Sequence, residues 1–183
     1  DGTVTHTPTG LVWQACSVGQ TWDGSNGTCT GAAKTFNYTD AIKVTSDFAG
    51  KTDWRVPNIV ELNSLVDIKK YYPAINKSLF PQMPSVPYFW SSSQIANNQN
   101  FAWPLNFVDG SSAGLSQGKE YPLYIRLVRG DILPINLLLK DFDLLNLWYR
   151  SNIKVDLKDK SRTIVSIDII SKMKKELYKE FNL

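Results

Sequence analysis

Apolar and polar positions alternate most clearly at the two ends of the first 130 residues. Near the start, "GTVTHTPTGLVWQ" sets threonine-rich alternation, a Pro-Thr-Gly turn and a Leu-Val-Trp run in succession, the pattern of a β-hairpin. Near position 130, "YPLYIRLVRG" alternates Tyr124, Arg126 and Val128 with Ile125, Leu127 and Arg129, as an extended strand does. Pairing of that strand with the opening hairpin is expected to bring the two ends of the segment together. Between them the period lengthens. "NYTDAIKVTSDFAG" reads as a short helix capped by Thr39 or Asp40 and stopped by Gly50. A second helix is expected after Pro57, with Asn58 as its cap and Ile59, Leu62, Leu65 and Val66 on one face. Phe89-Trp90 and Phe101-Ala102-Trp103 read as pieces of two strands whose alternate rings face the core. Two short helices, several strands and much irregular chain describe an α+β domain.

Between those two aromatic pieces lies "SSSQIANNQN", positions 91–100, built almost wholly of uncharged hydrogen-bonding side chains. Its composition is poor for a core and poor for a strand, so it is expected to be an exposed loop. Amides and hydroxyls donate and accept without a charge's desolvation cost, which suits sugar hydroxyls or a polar protein surface. Ser92, Ser93, Asn97, Asn98 and Asn100 are therefore candidate ligand contacts, with Phe101 or Tyr88 supplying a flat apolar face. A second small, polar loop, "VDGSSAGLSQGKEYP" at positions 108–122, contributes Asp109. Arg129, at the edge of the segment, is a further candidate, whereas Arg126 is expected to make an internal pair. Arg55 in "DWRVPN" is expected to be fixed by Asp53 or Glu61, with Trp54 in the core.

Composition divides the chain. All eleven glycines fall at or before Gly130. Residues 1–130 are thus read as one module and residues 131–183 as a C-terminal segment of unknown role. In that segment Leu138, Phe142, Leu145 and Tyr149 make a helical stripe and "RTIVSIDII" has strand character. Ser171 is placed to cap a final helix carrying Met173, Leu177 and Phe181.

The formal net charge of +3 over 37 charged groups gives little reason to expect nucleic acid as partner. No run approaches the roughly 18 apolar residues of a membrane span. The chain opens on Asp1-Gly2 without a basic and then apolar leader, as expected of a processed chain. Cys16 and Cys29 flank a glycine- and threonine-rich loop and are expected to form a disulfide, which implies an oxidising compartment; two buried free thiols are the alternative. With two cysteines and one histidine, His6, neither a structural zinc site nor a Ser-His-Asp or Cys-His pair is readily assembled, so no metal, no cofactor and no catalysis are expected.

Taken in order, "GLVWQACSVGQTWDGSNGTCTGAA", "DWRVPNIVELNSLVD", "PAIN", "FWSSS", "FAWPLNF" and "YIRLVRG" resemble the C-terminal domain family of the Legionella collagen-like protein, over residues 1–130. That resemblance implies a C-type-lectin-like architecture with short antiparallel sheets, two short helices and long loops, in a secreted or surface-displayed bacterial protein. The family's name-giving member is a trimeric adhesin for sulfated glycosaminoglycans. This chain departs from it: residues 1–130 carry ten Lys and Arg against nine Asp and Glu, and no collagen-like repeat is present. A calcium-held sugar is not expected, because "RVPN" lacks a preceding acid and "FWSSS" offers serines where ligating Asn and Asp would stand. The leading expectation is an extracellular, non-enzymatic, adhesin-like module that binds carbohydrate or a cell-surface protein, with a homo-oligomer possible. The alternative is an assembly subunit of a surface appendage that docks partners through its apolar C-terminal segment.

Overall fold

A computed structural model describes residues 1–67, 69–95, 98–112 and 118–132. The elements expected within 133–183 lie outside the described residues.

The opening hairpin forms as its alternation demands. β1 (Thr3–His6) pairs antiparallel with β2 (Leu11–Gln14), and β2 in turn pairs with β9 (Val128–Arg129), matching Trp13 to Val128. The two ends of the segment are joined in one sheet. A second hairpin, β3 (Thr21–Asp23) with β4 (Thr28–Thr30), holds Cys29, which is bridged to Cys16. The third sheet runs in the order β5 (Thr35–Phe36), β8 (Leu123–Tyr124), β6 (Tyr88–Ile95) and β7 (Asn98–Asn106). Small sheets with few short helices make an α+β fold weighted towards β.

The first helix is shorter than expected. α1 covers Tyr38–Ala41, and its cap is Asn37, whose side chain accepts from the Asp40 amide at 2.9 Å, in place of Thr39 or Asp40. Helix does not continue to Gly50 because polar side chains compete for the backbone: the Ser46 hydroxyl accepts from the Phe48 amide at 3.2 Å and from Gln14 at 3.1 Å. A single 3-10 turn at Phe48–Gly50 remains, and Trp54 donates its indole N–H to the Phe48 carbonyl. α2 (Ile59–Asn63) starts where Asn58 was expected to cap it. Asn58 accepts from the Glu61 amide and donates its own N–H to the Glu61 carboxylate, both at 2.8 Å, a reciprocal capping box.

The β6–β7 pair buries both faces. Phe89 enters one apolar cluster with Trp13, Ile59, Leu62 and Trp103, whereas the next residue, Trp90, enters another with Tyr38, Trp54, Ile125 and Leu127. Alternation along 123–128 persists although the chain passes from one sheet to another there. Leu123, Ile125 and Leu127 face the second cluster, and Tyr124 and Val128 the first. Arg126 lies on that first side, fully buried, with its guanidinium 4.8 Å from the Phe80 ring and 5.6 Å from the Phe89 ring. It donates to the carbonyls of Gln14 and Ala15 and to the Ser17 hydroxyl, so its expected internal partner is backbone and hydroxyl oxygen instead of a carboxylate. Burial pushes its pKa down to about 9.

Candidate functional site

The described residues of the polar stretch at 91–100 are strand and not loop: 91–95 belong to β6 and 98–100 to β7, with Ile95 opposite Asn98 at the tip of the hairpin. Strand propensity failed as a guide because the register shifts between Trp90 and Gln94, and the serines there bond inward. Ser91 is buried and donates to the Trp103 carbonyl at 2.5 Å. The Ser93 hydroxyl accepts from the Ile59 amide at 3.0 Å, supporting the first turn of α2, and the Ser92 amide donates to the Pro57 carbonyl. Of the residues singled out, Ser92 and Asn100 are exposed and Phe101 is half-buried. Asn98 lies on β7, and Asn97 lies outside the described residues.

Only the far part of the second polar segment meets the first. Register places Ile95 opposite Asn98 at one end of the hairpin and Tyr88 opposite Asn106 at the other, beside the turn at 107–110. Asp109 sits in that distant turn, where its carboxylate accepts from the Ser111 amide at 2.9 Å and hydroxyl at 2.6 Å. The turn needs Gly110, whose φ is +77° and whose missing Cβ would stand 2.5 Å from Val66 Cγ1. The far part of the same segment returns to the tip: Lys119 donates its amide to Asn100 and its ammonium to Gln94, both at 3.0 Å. There the Tyr38 hydroxyl donates to the Ser92 carbonyl at 2.7 Å, and burial pushes its pKa up to about 12. Arg129 is elsewhere again, in the end-joining sheet, with its Nε 2.8 Å from Asp53.

Two adjacent exposed rings lie next to the Asp109 turn. Tyr71 and Tyr72 keep 75% and 60% of their surface in solvent, and Val86 nearby in sequence to the groove residues keeps 61%. Their segment is stitched to the end of β7: the Tyr72 amide donates to Val108 at 2.8 Å and the Ala74 amide to Phe107 at 2.6 Å. Two clefts share Tyr72, Pro73 and Lys77. One, of about 310 Å³, continues along Gln82, Met83 and Ser85; the other, of about 320 Å³, along Tyr71, Asn76 and Ser78. Tyr72 is held in place by its hydroxyl, which donates to the Ser85 carbonyl at 3.1 Å.

Backbone strain collects at the same place. Among the described residues three non-glycine residues have positive φ, and two of them, Tyr72 and Gln82 at +52°, line the first cleft. Such a conformation costs on the order of 1–3 kcal/mol for each residue, and is held where surrounding structure over-determines it, often at ligand clamps. No acidic residue lines either cleft. Lys70 is paired with Asp67 at 3.2 Å, while Lys77 makes no ion pair among the described residues. The arrangement offers flat ring faces, amide and hydroxyl groups, and an ammonium donor. His6, the one histidine, is bonded to Thr9 at 2.7 Å.

The Lcl C-terminal domain matches residues 2–129. The chain belongs to that family.

No curated protein matches the chain. Lcl family proteins are surface or secreted, and the Cys16–Cys29 bridge of this Lcl domain fits an oxidising, extracellular setting. Among the described residues no helix is long and apolar enough to cross a membrane, and no three His, Cys, Asp or Glu side chains stand together as metal ligands. Sequence reasoning passed over Tyr71 and Tyr72. The signal was present in "KKYYPAINKS", where two adjacent rings stand among lysines, an amide and a proline.

Proposed function

We propose that this Lcl domain is an extracellular, non-enzymatic, adhesin-like module that binds carbohydrate through the Tyr71–Tyr72 groove. The observation that carries the reading is the exposure of two adjacent tyrosine rings beside clefts lined by amides, hydroxyls and an ammonium. A sugar presents one apolar C–H face and a rim of hydroxyls. Tyrosine faces take the first, and Gln82, Ser85, Asn76, Ser78 and Lys77 can bond the second. Pre-set strain at Tyr72 and Gln82 supports the reading, because a groove already held in its bound shape loses little entropy when it closes on a ligand. The Asp109 turn borders this site, so the second polar segment retains a place in it, whereas Ser93 has a structural role.

A C-type-lectin-like architecture, in which the chain ends pair and irregular segments carry the ligand, goes with this proposal. Pairing of β2 with β9 supports its first half. The test is a glycan array read with and without chelator for the wild type, Tyr72→Ala and Ser92→Ala. Loss of signal in Tyr72→Ala alone, insensitive to chelator, is the expected outcome. Signal unchanged in Tyr72→Ala but lost in Ser92→Ala would move the site to the hairpin and sink this assignment.

A further inference from the structure

The two exposed rings are neither stacked nor coplanar. Their centroids lie 6.5 Å apart and their planes are tilted by 39°. One pyranose ring is about as broad as one tyrosine face, so a single sugar cannot lie flat on both. The clefts are divided in the same way. Tyr71 lines only the one that runs past Asn76 and Ser78, Tyr72 lines both, and Pro73 and Lys77 form the shared junction. Each cleft lies at the small end of the range of about 300 to 1,000 Å³ for ligand pockets, enough for one ring with its substituents.

We infer that the groove takes a linear saccharide of at least two pyranose units, one stacked on Tyr71 and its neighbour on Tyr72, and that it selects chains that twist between successive rings. This rests on the carbohydrate reading above. Chains whose successive rings share a plane present a flat ribbon, which a coplanar pair of aromatics would suit. A tilted pair meets successive faces only if the chain itself turns from one unit to the next. Tyr72 is the fixed half of the platform, anchored through its hydroxyl to Ser85 and continuous through the 72–74 backbone with β7. Tyr71, more exposed, is the extension that converts a one-ring contact into a two-ring contact.

The experiment is an array printed with gluco-oligosaccharides, galacto-oligosaccharides and their N-acetylated counterparts, each as a ladder from monosaccharide to hexasaccharide. Within the gluco series, the flat β-1,4 and the twisted α-1,4 and β-1,3 linkages are both included. For the series that binds, affinity is expected to rise about tenfold from one unit to two, the effect of covering one further ring face. Twisted chains should exceed flat ones at equal length. Tyr71→Ala should reduce every longer chain to the monosaccharide level, and Tyr72→Ala should abolish binding. Tyr72→Phe, which keeps the ring and drops the Ser85 bond, should retain the length dependence.

Equal binding of one and two units, preference for flat chains, or an unaffected Tyr71→Ala would overturn the two-ring inference and leave the carbohydrate reading standing. Absence of binding to every ladder would remove the two-ring inference, and with a blank glycan array as well it would remove both. Thermal denaturation of each variant separates a lost contact from a lost fold.

Discussion

Arg55 and Glu61 offer the sharpest test of how the fold is held. The Glu61 carboxylate is fully buried and receives Arg55 Nη1 at 2.7 Å, Arg55 Nη2 at 2.8 Å and the Asn58 amide at 2.8 Å. Arg55 also exchanges backbone hydrogen bonds with Val128 at 2.9 Å, tying the start of α2 to the sheet that joins the chain ends. Replacing Arg55 with alanine leaves a buried carboxylate with its charge uncompensated. Breaking a buried pair in this way costs about 3–5 kcal/mol. A quarter of the Arg55 side chain is exposed and the Asn58 bond survives, so a loss of about 2–4 kcal/mol is expected here. For a domain of this size that lowers Tm by on the order of 10 °C. Urea and thermal denaturation of the wild type, Arg55→Ala, Glu61→Ala and the double variant would measure it. The double variant should cost clearly less than the sum of the singles, because the two groups act as a unit. Strict additivity, or an Arg55→Ala shift below about 3 °C, would show that the pair does not hold this region.

Three further outcomes follow from the same structure. Ser93→Ala should cost about 1 kcal/mol through the lost support of α2, whereas exposed Ser92→Ala should stay within about 0.5 kcal/mol; the reverse order in urea melts would return Ser93 to the list of ligand contacts. Reducing the Cys16–Cys29 bridge, which spans a sequence separation of 13, should lower stability by about 3 kcal/mol, read as a fall in Tm on adding a thiol reductant. His6 lines a cleft with Asp67 and Lys69, and burial holds its pKa below the ordinary 6.5. The unfolded chain therefore takes up the proton first, so stability is lost as pH falls through the unfolded value. The stability difference between the wild type and His6→Gln should shrink from about pH 7.5 to about pH 5.5, and a constant difference would refute the shift.

Where local pattern and tertiary demand agree, the sequence alone determined the outcome. The opening hairpin, the Asn58 cap and the burial of Trp54, Trp90 and Trp103 follow from period and turn residues within short range, and charge narrowed the partner of Arg55 to Asp53 or Glu61, of which the fold chose Glu61. These features depend on chemistry that a handful of neighbouring residues carries. The ordered motifs likewise pointed to the Lcl C-terminal domain family. Only the tertiary structure decided the rest. Ser91, Ser92 and Ser93 became strand because Ile59, Pro57, Trp103 and Tyr38, distant along the chain, complete their hydrogen bonds. Arg126 became a fully buried cation because carbonyls from 14 and 15 and rings from 80 and 89 converge on it. The Asp109 turn separated from the 91–100 stretch because hairpin register sends the tip and that turn to opposite ends, whereas Lys119 of the same segment stays beside the tip. Tyr71 and Tyr72 emerged as a platform because backbone bonds to 107 and 108 leave their rings outside the core. Hydrophobic period reports which side of an element is buried, but not which distant oxygen or ring will stand opposite it.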